Sequence, residues 1–363
     1  MIWIIIFVII IFLAYQGDET RSYPKRKLVF YRLLLAVVLS LISAVGSPTG
    51  SDHEWYAAVY NDINKLSFSN FSTYEHYEPG YIIFNGICRL FGIPEATFFL
   101  IISLFINSII VDFVFRYKYP VINIALFFIG GSLIMQGNIV RQEIAAAIIV
   151  YSMRFFPQEQ IGKYIICIAI AGMFHYTALF FLILIPLFYN KTKAKEKLAK
   201  YVMIGLLLIS ILISLGYMTL PMQDLISMAT YYENYIHSED GVGLKISIYR
   251  ILFYNVIAFL FILFSNKKYY YLVSVLVLYA INLNLTTVVP NLARMGTYFG
   301  LISVTLILHS IGGGVINKFK LEKHASIIHF SLIVIIMAVF ISNFVLSDNV
   351  ILCSKTYSIS DFF

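Results

Sequence analysis

The sequence predicts an all-α, polytopic integral membrane protein, and three observations lead there. Of its 363 residues, 60% are hydrophobic and only 12% are charged, whereas a soluble domain is about 25% charged. The runs 201–220, 269–289 and 325–347 contain no Asp, Glu, Lys or Arg, and each reaches the ~20 apolar residues that cross a bilayer as a helix. Hydrophilic stretches stay at about thirty residues, below the ~50 of a separate soluble domain. Lipid offers no partner to an unpaired backbone group, so every span must be helical.

The elements follow in order. Segment 1–15 opens Met-Ile-Trp-Ile without the basic start and small-residue cleavage site of a signal peptide, and reads as a retained first span. Strong runs cover 28–46, 96–115, 164–189, 248–265 and 295–312, and 119–136 and 139–156 are further spans. Segment 78–93 is short, begins Glu78-Pro79 and contains Arg89. With the three uncharged runs this gives about 11–12 transmembrane helices. They form one membrane domain over 1–348, with a tail at 349–363.

Lys and Arg number 26 against 19 Asp and Glu, for a net charge of +7. The excess sits in short loops at 21–27, 191–200, 267–268 and 318–323. That is a topogenic pattern marking cytoplasmic loops, so no nucleic-acid partner is expected. It places two acidic, aromatic loops, 47–77 and 221–247, outside the cytoplasm. A conflict remains between these charges and the spans. Counting every run between 28 and 189 as one crossing puts Asp52 and Arg141 on opposite sides. A re-entrant 78–93 brings them together, but the lysine-rich 191–200 then needs a second irregularity to stay inside. Cys88, Cys167 and Cys353 form no metal-ligand spacing or disulfide framework. No metal and no cofactor is expected.

Charged groups in spans cost about 2.5–3.5 kcal/mol each on insertion, so each is a functional candidate. In Gly50-Ser51-Asp52-His53-Glu54-Trp55-Tyr56, Asp52 is either the N-cap of a loop helix or a carboxylate that orients or deprotonates a hydroxyl. In Glu78-Pro79-Gly80-Tyr81, residues Glu78, Tyr81, Asn85 and Arg89 share one helical face. That face reads as capping plus a snorkelling arginine, or as a polar stripe buried against protein. Arg141-Gln142-Glu143 opens an Ala-rich helix, and Arg141 is an interfacial anchor or a phosphate ligand. His175 lies in the middle of the run 164–189, as a hydrogen-bonded core residue or a proton acceptor. Arg294 and Tyr298 are i,i+4 neighbours after Pro290, forming a membrane-belt anchor or facing one anionic ligand.

These constellations, in this order, resemble the EpsG-like family of bacterial polysaccharide polymerases, related in role to Wzy-type O-antigen and capsule polymerases. Gly50, Asp52 and Tyr56 match its Gly-x-Asp with a following Tyr. Glu78, Gly80 and Tyr81 match Glu-x-Gly-Tyr, and Arg141, Gln142 and Ala145 match Arg-Gln-x-x-Ala. Phe174, His175 and Ala178 match the Phe-His motif, and Arg294, Tyr298 and Phe299 the late arginine with its aromatic pair. An arginine frequent before the Gly-x-Asp is replaced here by Gly46-Ser47-Pro48-Thr49.

The resemblance implies a GT-C-like membrane glycosyltransferase in the bacterial inner (cytoplasmic) membrane. It would join undecaprenyl-diphosphate-linked oligosaccharide repeat units at the extracytoplasmic face, alongside a chain-length regulator and a flippase of the same pathway. Asp52 or Glu78, with His175 as substitute, would act as base. Arg141 and Arg294 would stabilise the departing diphosphate. Trp55, Tyr56, Tyr81, Tyr232, Tyr298 and Gln142 would contact substrate. Two other classes fit the same residues: a lipid-linked oligosaccharide flippase or other secondary transporter, and a polysaccharide acyltransferase or O-antigen ligase.

Overall fold

The computed structural model describes residues 2–46, 52–63, 74–129, 133, 136–189, 193–215, 248–264, 270–287, 289–311 and 334. The predicted loop 221–247 with Tyr232, the run 325–347 apart from Val334, and the tail 349–363 lie outside these residues. Among the described residues every regular element is helical. Three helices are long and apolar enough to cross a membrane, within Lys25–Val45, Glu95–Val114 and Lys197–Ser214, and shorter apolar helices accompany them. The chain is an all-helical integral membrane protein. Its described residues form two compact units, one ending at residue 183 and the other beginning at residue 184.

The first unit contains α1 (Ile2–Gly17), α2 (Lys25–Gly46), α3 (His53–Asp62), α4 (Pro79–Leu90), α5 (Glu95–Val114), α6 (Pro120–Ile129), α7 (Val140–Ser152) and α8 (Ile161–Phe174). A 3₁₀ leg, Tyr176–Tyr189, follows α8. Helices α2 and α5 run antiparallel. Arg32, early in α2, lies over Phe115 just past the end of α5 (4.6 Å to the ring centroid), while Ser43 near the end of α2 meets Ser103 in the first half of α5. Helix α7 ends where α5 ends, because Arg154 donates to Asp112 at 2.7 Å. The unit therefore has two ends. One gathers Arg116, Arg154 and Asp112; the other holds the start of α7 and the end of α2.

The two irregularities that the charge pattern called for are both present. Helix α4 is short for a crossing. Twelve residues span about 18 Å, against a hydrocarbon core of about 30 Å, and both its ends stay at one end of the unit. Glu78, before its first turn, pairs with Arg141. Beyond its last turn, the Ile93 carbonyl accepts a hydrogen bond from the Tyr60 hydroxyl of α3 at 2.5 Å. The second irregularity is at His175. The run 164–189 is not one span: the Tyr164 hydroxyl donates to the Phe181 carbonyl at 2.6 Å, so the chain doubles back on α8. His175 is the extended residue at the turn (φ −158°, ψ 116°). Of the two readings that the sequence left open, the one with a re-entrant 78–93 and a second irregularity fits this geometry, and Asp52 and Arg141 lie at the same end.

A neutral hydrogen-bond network holds the segment before α7. Asn107 and Gln136 exchange amide bonds at 3.0 and 3.1 Å. Ser43 donates to Gln136 Oε1 and to the Leu133 carbonyl, both at 2.8 Å. Interhelical bonds of this kind contribute about 0.6 kcal/mol each in a membrane, so their effect is to fix register rather than to supply bulk stability. Both ends of the Asn107 amide are engaged in this network.

The second unit holds α9 (Lys193–Ser214), α10 (Ile248–Phe264), α11 (Tyr270–Thr286), a 3₁₀ turn Pro290–Met295, and α12 (Gly296–Ile311). Asn284 of α11 donates to Ser210 of α9 at 2.8 Å and exchanges amide bonds with Asn255 of α10 at 2.7 and 2.9 Å.

In a cysteine-free background, Trp55→Cys and Asn138→Cys are expected to react with a membrane-impermeant thiol reagent from one side of the membrane. Glu159→Cys, in the turn before α8, is expected to react only from the other. Labelling of 55 and 138 from opposite sides would contradict this arrangement.

Candidate functional site

Glu78 is the centre of the polar cluster. Its backbone is extended (φ −65°, ψ 145°) as the chain enters α4, and Pro79 suits the first helical position because no partner is needed there for an amide hydrogen. The carboxylate is buried, at 3% exposure. Its Oε1 accepts from His175 Nδ1 at 2.8 Å and from the Tyr176 amide at 3.3 Å. Its Oε2 accepts from Arg141 Nη1, and that nitrogen also donates to the His76 carbonyl at 3.3 Å. Burial opposes ionisation of Glu78, but the His175 hydrogen bond and the Arg141 charge outweigh it and hold the carboxyl below its usual range.

Three segments must meet to build this cluster, and Gly80 allows one of the meetings. A Cβ there would stand 2.8 Å from the Met173 carbonyl oxygen and 2.9 Å from its Cβ. The first turn of α4 thus rests directly on the backbone of the last turn of α8, and the approach brings Glu78 to His175.

Tyrosines surround the ion pair. The rings of Tyr77 and Tyr81 stack at 5.8 Å, and Tyr56 of α3 packs edge-on to both at 6.3 and 5.7 Å. The Arg141 guanidinium carbon lies 4.6 Å from the Tyr77 ring centroid and 5.8 Å from that of Tyr56. Burial pushes the Tyr77 phenol up; Arg141 opposes this, while Tyr56 and the Asp52 carboxylate add to it. Asp52 occupies the N-cap position of α3 without a side-chain capping bond. Its backbone N–H instead donates to Asn138 Oδ1 at 2.8 Å, tying α3 to the turn ahead of α7.

Of the residues singled out from sequence, Asp52, Tyr56, Glu78, Tyr81, Arg141 and His175 come together here. Tyr81 is fully buried behind Tyr77. Gln142 is buried on α7, and Trp55 points away at 71% exposure. In the second unit Arg294 is exposed in the 3₁₀ turn and Tyr298 is fully buried on α12. Sequence reasoning missed Tyr77, although an aromatic just before the Glu-x-Gly-Tyr motif was a usable signal. It also passed over Arg250, the single charge in the run 248–265.

Gly80→Ala is expected to separate α4 from α8 and abolish activity while the protein still inserts. Gly162→Ala, where nothing lies within 4 Å of the added carbon, is expected to be silent in the same assay. Glu78 also makes stability depend on pH. Because its folded pKa is depressed, its contribution is present above the ordinary carboxylate pKa of ~4.3 and is lost as pH falls through the folded value. The thermal midpoint of wild type should fall across that acid window more steeply than that of Glu78→Gln. At neutral pH Glu78→Gln should be the less stable, by about 3 kcal/mol, because it leaves Arg141 without its counter-charge.

No curated protein and no solved structure matches the chain. The family model described as the EpsG family matches residues 29–358, nearly the whole sequence, and the chain belongs to the EpsG family.

Proposed function

We propose that the protein is a membrane glycosyltransferase that polymerises undecaprenyl-diphosphate-linked oligosaccharide repeat units into O-antigen, capsule or exopolysaccharide. Membership of the EpsG family supports a polymerase-type activity. The observation that carries the reading is the Glu78 carboxylate held between His175 and Arg141 at one end of the first unit. A proton acceptor and an anion-binding group stand together there, beside aromatic surfaces.

The roles follow from the hydrogen bonds. An ionised carboxylate can only accept, so His175 presents Nδ1–H to Glu78 and leaves Nε2 as the basic nitrogen. In the transfer, a sugar hydroxyl of the acceptor attacks the anomeric carbon of the donor. The bond between that carbon and the diphosphate oxygen breaks, and its electron pair leaves with the lipid diphosphate. His175 Nε2 takes the hydroxyl proton, and Glu78 holds the imidazole and balances the imidazolium that forms. Arg141 neutralises the charge developing on the leaving diphosphate. Asp52 is the alternative acceptor, one helix turn from Tyr56. Tyr56 and Tyr77 offer sugar-stacking surfaces, with Tyr81 supporting them from behind. Trp55, Tyr232, Gln142 and Tyr298 remain assigned to substrate by the family resemblance, and Arg294 to the diphosphate.

The same reading assigns a GT-C-like fold of about 11–12 spans in the bacterial inner membrane, with the site on the extracytoplasmic face. A flippase would deliver the units, and a chain-length regulator would set the polymer size.

His175→Asn keeps an amide at the Nδ1 position but removes Nε2, and is expected to slow elongation about 100-fold or more. Arg141→Ala is expected to stop elongation while single repeat units still reach the cell surface. Accumulation of units on the inner face would favour the transporter reading. Unchanged chain length with altered decoration, or polymer not joined to its final anchor, would favour an acyltransferase or a ligase.

A further inference from the structure

His53, the first residue of α3, is 4% exposed and touches three places in the first unit. Its ring lies against Phe99 of α5, with centroids 4.3 Å apart and planes tilted by 42°. Its Nε2 stands 4.0 Å from Glu95 Oε1 in the first turn of α5. It also hydrogen-bonds to the Gly137 backbone in the turn ahead of α7. Through its other oxygen Glu95 accepts from Asn61 Nδ2 at 2.5 Å, so one carboxylate reaches both ends of α3.

The bond to Gly137 stands beside a second one. The Asp52 N–H donates to Asn138 Oδ1 at 2.8 Å, so two successive residues at the start of α3 hold two successive residues of the turn. Arg141 follows at once in the first turn of α7, with its guanidinium carbon 5.8 Å from the Tyr56 ring centroid. Helices α3 and α7 thus meet twice, first through residues 52–53 and 137–138, then through Tyr56 and Arg141. His53 and Tyr56, three residues apart, share one face of α3. The first meeting therefore sets the register of the second.

We infer that His53 is a positioning residue: by fixing α3 to the turn ahead of α7, it sets Arg141 against Tyr56 and Glu78. The consequence for chemistry at Arg141 rests on the polymerase reading; the attachment itself rests on the His53 contacts. The ring acts in its neutral form. Burial lowers the His53 pKa, and Glu95, the Gly137 bond and Glu54 oppose this without cancelling it. The charged groups acting on the ring are thus Glu95 from α5 and Glu54 of α3 itself, while Phe99 and the turn present an apolar face and backbone. A histidine in water titrates near ~6.5, so the attachment is at full strength above that pH. It weakens as pH falls below that value, until the lower folded pKa is passed.

The first test reads α3 without turnover. Trp3 and Trp55 are the two tryptophans of the chain, so Trp3→Phe leaves the exposed Trp55, two residues past His53, as the fluorescent reporter. Full-length protein in phosphatidylcholine nanodiscs is titrated from about pH 8 down to about pH 5, above the glutamate range. A transition in Trp55 emission is expected below ~6.5. His53→Gln keeps an N–H donor but does not titrate, and is expected to remove the transition. No transition, or the same transition in His53→Gln, overturns the proposal. Elongation supplies the second readout. His53→Leu is expected to lower kcat about tenfold or more with KM little changed, because a displaced Arg141 fails the leaving group rather than the bound acceptor. His53→Gln is expected to recover most of that loss. If His53→Leu does not fold, the emission titration of His53→Gln gives the answer. If wild type elongates and His53→Leu matches it, this inference fails and the polymerase reading stands. If the transition depends on His53 in a protein that elongates nothing, the polymerase reading fails alone.

Discussion

Withdrawing one carboxylate from water in a membrane protein determines much of what surrounds it. Glu78 is almost fully buried, and a group so placed is tolerated only when opposite charge and hydrogen-bond donors meet it. Arg141, His175 and the Tyr176 amide supply these, and they come from different parts of the chain. The start of α4, the start of α7 and the end of α8 must therefore converge. Gly80, the bond between Asp52 and Asn138, and the Asn107–Gln136 network each help to hold that convergence.

The distribution of polar groups in the first unit has a physical logic. Most of its interior polar side chains carry no ionisable group: Ser40, Ser43, Ser103, Asn107 and Gln136 are all buried, while Glu143 is a buried carboxyl in the first turn of α7. Neutral amides and hydroxyls satisfy one another without the expense of a charge in lipid. Charges stand at the ends. Arg116 and Arg154 share Asp112 at the end away from the Glu78 site, where both partners of the Arg116 pair are over 40% exposed. Exposed pairs of this kind contribute about 0–1 kcal/mol, so their value lies in orienting the chain rather than in stabilising it.

Two arginines illustrate how environment sets chemistry. Arg141 is already neutralised by Glu78 and lies against two tyrosine rings, so a resting anion has little to gain from it. A charge that grows during reaction gains more, and such differential binding is what accelerates a step. Among the described residues, the partner of Arg250 is a phenol hydroxyl, that of Tyr279.

The sequence by itself determined the fold class. Apolar runs of span length, few charges and lysine-rich loops leave only a helical bundle in lipid, because lipid enforces internal backbone hydrogen bonding. It also determined where α4 begins, since Pro79 acts on its own local backbone. It listed most of the polar residues at the site, because a charge in an apolar run is conspicuous. What it could not give was which runs cross. Hydropathy measures apolar length and cannot see a chain turning back, so it left the course of α4 open and took the fold-back at His175 as part of one span. His175 looked like a lone core residue because its partner, Glu78, is 97 positions away. Arg250 drew no notice for the same reason: its partner Tyr279 is 29 positions away. Pairings between distant segments are set by packing, by Gly80 against Met173 and by tyrosines stacked around an ion pair. Only the tertiary structure decided those.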